Sequence, residues 1–125
     1  MNKLTATIAM LCVLTAPAAQ AELVNDFNCH LNDGYTVPKL YAFQQEWMAA
    51  ARKHGFGEAA YKTRIYFPMY AEVTDTKPMF FVWRGSFSDG AVWGKMADWF
   101  PSSEWANKFN EVMNCSKASL WIAPQ

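Results

Sequence analysis

An excess of either charge is missing from this chain: eleven Lys and Arg face eleven Asp and Glu among 125 residues. The signs are interspersed. Nucleic acid and anionic membrane surfaces are therefore not expected partners, because both are recognised through a concentrated basic patch. Low-complexity segments and long linkers are absent too, which leaves no boundary between two domains. No apolar run reaches the roughly 18 residues that a spanning helix requires. No nucleophile triad, phosphate-cradling glycine loop or metal-spaced set of His, Cys, Asp and Glu occurs, so no cofactor and no metal are expected. With only two histidines, acid–base chemistry has few obvious carriers.

What is present begins at the amino end. Lys3 supplies a short positive region, Leu4 to Leu14 an apolar stretch, and Ala19-Gln20-Ala21 the small-x-small pattern cut by signal peptidase. The expectation is a cleaved signal peptide over 1–21 and a single domain over 22–125, periplasmic or secreted, with no membrane anchor after cleavage. Of three cysteines, Cys12 leaves with the signal. Cys29 and Cys115 then remain in an oxidising compartment, where a disulfide is the default state of a lone pair. All twenty aromatic residues lie in the mature part.

The pattern of the mature part alternates between periods. Asp26 to Leu31 is extended and closes on the turn Asn32-Asp33-Gly34. Thr36 then caps a helix over 37–54, with Pro38 in its first turn, Leu40, Phe43, Trp47 and Ala51 at helical spacing, and Gly55 as its left-handed stop. Tyr61 to Val73 and Met79 to Phe87 are rich in aromatic and β-branched residues and flank the loop Asp75-Thr76-Lys77-Pro78, which predicts a hairpin. Pro68 removes a ladder donor, so the first of these strands belongs at an edge or carries a bulge. Ser88-Asp89-Gly90 opens a second helix, which Pro101 interrupts and Ser102 recaps. Ser119 to Ile122 closes the chain as a strand that starts as early as Cys115.

The order βαββαβ predicts an α+β, ferredoxin-like fold: an antiparallel sheet with two helices on one face. In that topology the first and last strands are neighbours, which brings Cys29 beside Cys115 as a structural staple. On Met79 to Phe87 one parity carries Phe81 and Trp83, the other Phe80, Val82 and Arg84. Both faces read as largely apolar, so a symmetric second copy is expected to cover the one the helices leave bare.

Three stretches, Phe80-Phe81-Val82-Trp83, Trp93-Gly94 and Phe109 to Ser116, together with the element order, resemble the dimeric α/β-barrel superfamily, more closely its exported bacterial members. The resemblance implies two sheets meeting face to face as a barrel across a homodimer. That superfamily includes cofactor-independent monooxygenases, haem-degrading and dye-decolourising enzymes and proteins without known activity, so fold alone selects no reaction.

Arg84 stands in an apolar strand and needs a carboxylate, such as Glu72, or a ligand anion. His30, opposite in parity to Cys29, is either an acid–base group or a hydrogen-bonded structural histidine, whereas His54 suits the helix end. Trp47, Trp83 and Trp93, with Tyr66 and Tyr70, form either plain core or an aromatic pocket. The function expected is homodimeric binding of a small apolar or aromatic ligand at Trp47, Tyr66, Trp83, Arg84 and Trp93. The alternatives are a cofactor-free monooxygenase-like oxidoreductase, with Arg84 and His30 as catalytic residues, and a purely structural or interaction protein.

Overall fold

The computed structural model describes residues 21–68, 80–116 and 118–122. The signal segment, Tyr70, Glu72 and the loop Asp75 to Pro78 lie outside them. The first strand, β1 (Leu23–Leu31), starts earlier than expected. It leads through the Asn32 turn into α1 (Val37–Lys53), whose N-cap Thr36 accepts a hydrogen bond from the Lys39 amide at 3.4 Å. Gly55, at φ 100°, ends this helix. Its N–H donates to the Arg52 carbonyl and that of Phe56 to the Ala51 carbonyl, at 3.0 and 2.9 Å. This reciprocal pair satisfies two carbonyls that the helix end would leave bare, and it turns Phe56 into the core.

Two strands follow, β2 (Tyr61–Tyr66) and β3 (Phe81–Phe87). β2 stops two residues before Pro68 and is an edge strand, as a missing ladder donor requires. Asp89 caps α2 (Gly90–Trp99), accepting from the Val92 amide at 2.9 Å.

A 3-10 turn over Phe100–Ser102 then separates α2 from α3 (Glu104–Val112). The described residues thus hold three helices and not two. Pro101 has no N–H to give, and the chain re-enters helix at Ser103 instead of Ser102, with the Ser103 hydroxyl donating back to the Phe100 carbonyl at 2.7 Å. Asn32 clamps the far end of α3, its side-chain amide donating to the carbonyls of Asn110 and Glu111 at 2.7 and 3.1 Å.

The closing strand is split into β4 (Met113–Cys115) and β5 (Ser119–Ile122), both antiparallel to β1. Cys115 faces Cys29 and Ser119 faces Asp26, so four residue steps on this side span three on β1. That extra residue shifts parity, because strand side chains alternate with a period of two. The strand order is β2-β3-β1-β4, with β5 also on β1, the ferredoxin-like arrangement of an α+β fold.

The sheet is open, with β2 at one edge and β4 and β5 at the other, and it does not close into a barrel. This overturns the expected dimeric α/β barrel and the resemblance that implied it. The physical reason lies in the outer face. Val82, Arg84 and Ser86 of β3 are flanked there by Val24, Asp26 and Asn28 of β1 and by Lys62, Arg64 and Tyr66 of β2. This face mixes ion-paired and polar groups with its apolar side chains and is not the continuous apolar wall that a barrel interior requires.

The core lies between the inner face and the helices. Phe81, Trp83 and Phe87 of β3 are buried at alternate positions, and α1 contributes Leu40, Phe43, Trp47 and Ala51. Trp47 is stacked on Trp99 at 5.8 Å and meets Tyr61, Phe100 and Phe109 edge to face. Edge-to-face contacts place ring hydrogens against the negative π face, which adds to the area buried. Cys29 and Cys115 are disulfide-bonded across β1 and β4, with Cα atoms 4.0 Å apart. The bridge fits an oxidising, non-cytoplasmic environment. No helix among the described residues is long and apolar enough to cross a membrane.

Candidate functional site: an aromatic cavity on the inner face of the sheet

Alternation along β1 and β3 aims Asn25, Phe27, Trp83, Gly85 and Phe87 toward the helices. Above them stand Trp93 and Met96 of α2, Phe100 and Pro101 of the 3-10 turn, and Ala106 and Phe109 of α3. The space between is a cavity of about 370 Å³, within the range of small-molecule sites. Gly85 helps to keep it open. A side chain there would put its Cβ 3.3 Å from Tyr61 Cε2 and 3.4 Å from Phe87 Cε2, tight contacts with two rings that themselves pack at 5.0 Å. The interruption at Pro101 matters as well, because it turns the chain so that α2 and α3 form adjoining walls.

Among the described residues, no charged side chain lines the cavity. Its polar groups are few. The Trp47 indole N–H donates to the Tyr61 hydroxyl oxygen at 2.9 Å. Burial pushes the Tyr61 phenol well above its ordinary value, a rise that hydrogen bonds from Trp47 and Trp83 only partly offset. This group therefore stays neutral. Asn110 is exposed and belongs to the rim. Asn25 Oδ1, by contrast, is buried and has no hydrogen-bond partner among the described residues.

Of the residues singled out from sequence, Trp47, Trp83 and Trp93 are brought together around this cavity. Tyr66 and Arg84 are not. Both lie on the outer face, where the Arg84 guanidinium sits 5.0 Å from the Tyr66 ring centroid. Arg84 makes a two-pronged ion pair with Asp26, Nε to Oδ1 at 2.7 Å and Nη2 to Oδ2 at 2.8 Å. Its carboxylate partner is thus the directly opposite residue of β1. Hydrogen bonding to Asp26 raises the guanidinium further above its already high ordinary value, so it remains a cation. His30 is exposed and pairs with Asn114 in the ladder, on the side opposite to Cys29. His54 caps the end of α1 and stacks on Trp99 with ring centroids 4.0 Å apart. Arg84 and His30 therefore do not share the cavity.

The chain matches no family model, no curated protein and no solved structure. No group of three or more His, Cys, Asp or Glu side chains among the described residues is placed to hold a metal.

Sequence reasoning missed Asn25, Phe27, Gly85, Met96 and Ala106. A signal for Asn25 existed. With the strand started at Leu23, the series Leu23, Asn25, Phe27, Cys29, Leu31 puts a lone amide on an otherwise apolar face.

Proposed function

We propose that this protein is an exported, periplasmic or secreted, binding domain that takes one small apolar or aromatic molecule into the cavity between the sheet and α2 and α3. The observation that carries this reading is a half-open cavity of about 370 Å³ bordered by Trp47, Trp83 and Trp93 and, among the described residues, by no charged side chain. Clefts of this size with mostly apolar and aromatic walls are where small-molecule sites are found. Aromatic walls offer flat faces for stacking and little to hold bulk water. A purely structural role predicts no pocket between the sheet and the helices, so the cavity weighs against it. The oxygenase reading drew on Arg84 and His30 as convergent polar groups, and their positions on the other face give it no support.

The test is a ligand-observed NMR titration with 2-methoxynaphthalene, a neutral two-ring probe. Saturable binding at one site per chain is expected, lost in Ala106→Phe, with circular dichroism showing that this variant keeps its fold. Failure to bind the wild-type protein, or equal binding to the folded variant, would overturn the reading.

A further inference from the structure

We propose that the binding site continues out of the cavity on to an apolar shelf made by Leu120 and Ile122 of β5, and that its ligand is an uncharged ring system bearing an apolar chain. This rests on the cavity being a binding site and adds a second subsite to it.

The exposure of the cavity wall gives the direction in which it opens. Trp47 of α1, Tyr61 of β2 and Trp83 of β3 are only 2, 4 and 3 % exposed. Asn25 and Phe27 of β1 are half-buried, and Cys115 of β4, one strand further on, is exposed. Because the strands run in the order β2, β3, β1 and then β4 with β5, the cavity is closed toward β2 and open toward the other edge.

β5 stands at that open edge. Register sets Leu120 beside Asn25 and Ile122 beside Leu23, so both belong to the helix-facing side of the sheet, as the cavity does. Yet Leu120 is 47 % and Ile122 70 % exposed. Neighbouring strands lie about 4.8 Å apart, which puts Leu120 one strand spacing from Asn25 in the cavity wall. A molecule that leaves the cavity over β1 therefore meets Leu120 first and Ile122 next. β5 carries no charged residue, and large apolar side chains exposed together beside an apolar cleft mark a place where apolar surface of a ligand leaves water. Continuity with the cavity selects the occupant, a chain attached to the ring held inside. Trp121 belongs to the opposite face, beside Val24, and takes no part in the shelf.

The test is an NMR titration with 2-methoxy-, 2-propoxy- and 2-pentyloxynaphthalene, which share one ring system and differ by two methylenes at each step. A fully buried methylene is worth about fourfold in affinity and one laid on an open shelf about twofold, so wild-type protein should gain about fourfold per step. The methyl signals of Leu120 and Ile122 should shift with the pentyloxy compound and stay in place with the methoxy compound. In Leu120→Thr combined with Ile122→Thr, where β-branched residues keep the strand, all three probes should bind with the wild-type affinity for 2-methoxynaphthalene. Trp121→Thr, a change on the other face, should keep the full gain. Equal affinities in the wild-type protein, or a gain that persists in the double variant, would overturn the inference and leave the cavity reading standing. Methyl shifts that follow protein concentration instead of ligand would assign the shelf to a second copy of the chain and overturn it too. Failure of all three probes to bind wild-type protein would overturn both readings together.

Discussion

The indole N–H of Trp47 on α1 donates to the phenol oxygen of Tyr61 on β2 at 2.9 Å, with the two rings edge to face at 6.1 Å. Both residues are almost wholly buried. This pair joins the longest helix to the edge strand at the margin of the cavity. Removing the acceptor in Tyr61→Phe leaves the indole donor buried without a partner, which costs about 1 to 3 kcal/mol. Urea denaturation should show that loss, and Trp47→Phe in the same background should remove part of it. A variant as stable as wild type would mean that the indole finds another acceptor.

The same phenol makes a pH prediction. Burial raises Tyr61 in the folded state above the value of 10.0 that it has when unfolded. Below pH 10 both states keep the proton and the full stability is present. Above it the unfolded chain ionises first, so stability declines as pH rises toward the folded value. Urea midpoints taken between pH 8 and 11 should fall more steeply for wild type than for Tyr61→Phe above pH 10. Parallel curves would contradict the assignment.

Arg84 belongs to the outer face, and its substitution should not reach the cavity. Arg84→Met breaks a two-pronged pair with Asp26 that is partly open to solvent, and Arg64 stands directly opposite in the ladder. Screening limits the loss to about 1 kcal/mol, and relief of the repulsion between the two arginines reduces it further. Thermal unfolding should move by a few degrees with 2-methoxynaphthalene binding unchanged. A large fall in affinity would place Arg84 in the binding machinery after all.

The disulfide bridges residues 86 positions apart. In the chain-entropy model a loop of that length is worth about 4 to 5 kcal/mol. Cys29→Ala combined with Cys115→Ala should lower the denaturant midpoint markedly at neutral pH, while ligand added in excess restores part of the stability by mass action. A midpoint that stays in place would show that the bridge contributes little to folding.

Local patterns carried much of the fold. Thr36, Pro38 and Gly55 bracket α1 in the chain as they do in the folded molecule, because caps depend on neighbours within one turn. Disulfide pairing was legible too, since the βαββαβ order sets β1 beside the closing strand and each holds one of the two cysteines. Arg84 was misread for a complementary reason. Its partner Asp26 lies 58 positions away, at the first residue of the extended stretch read from the sequence, and only the β1–β3 register sets the two opposite each other.

The cavity shows the same division. Aromatic content nominated Trp47, Trp83 and Trp93, but the choice between core and pocket depends on whether rings from three elements fill the space between them. That is a property of packing, and no residue expresses it alone. Whether the sheet closes was also decided by tertiary structure, because the outer face is assembled from β1, β2 and β3 together and its charges come from strands distant in the chain. By itself the sequence determined the alternation of strands and helices, the ends of α1 and the cysteine pair, through interactions of short range or simple topology. Only the fold decided where Asn25 points and which face Arg84 occupies, because both follow from register between strands.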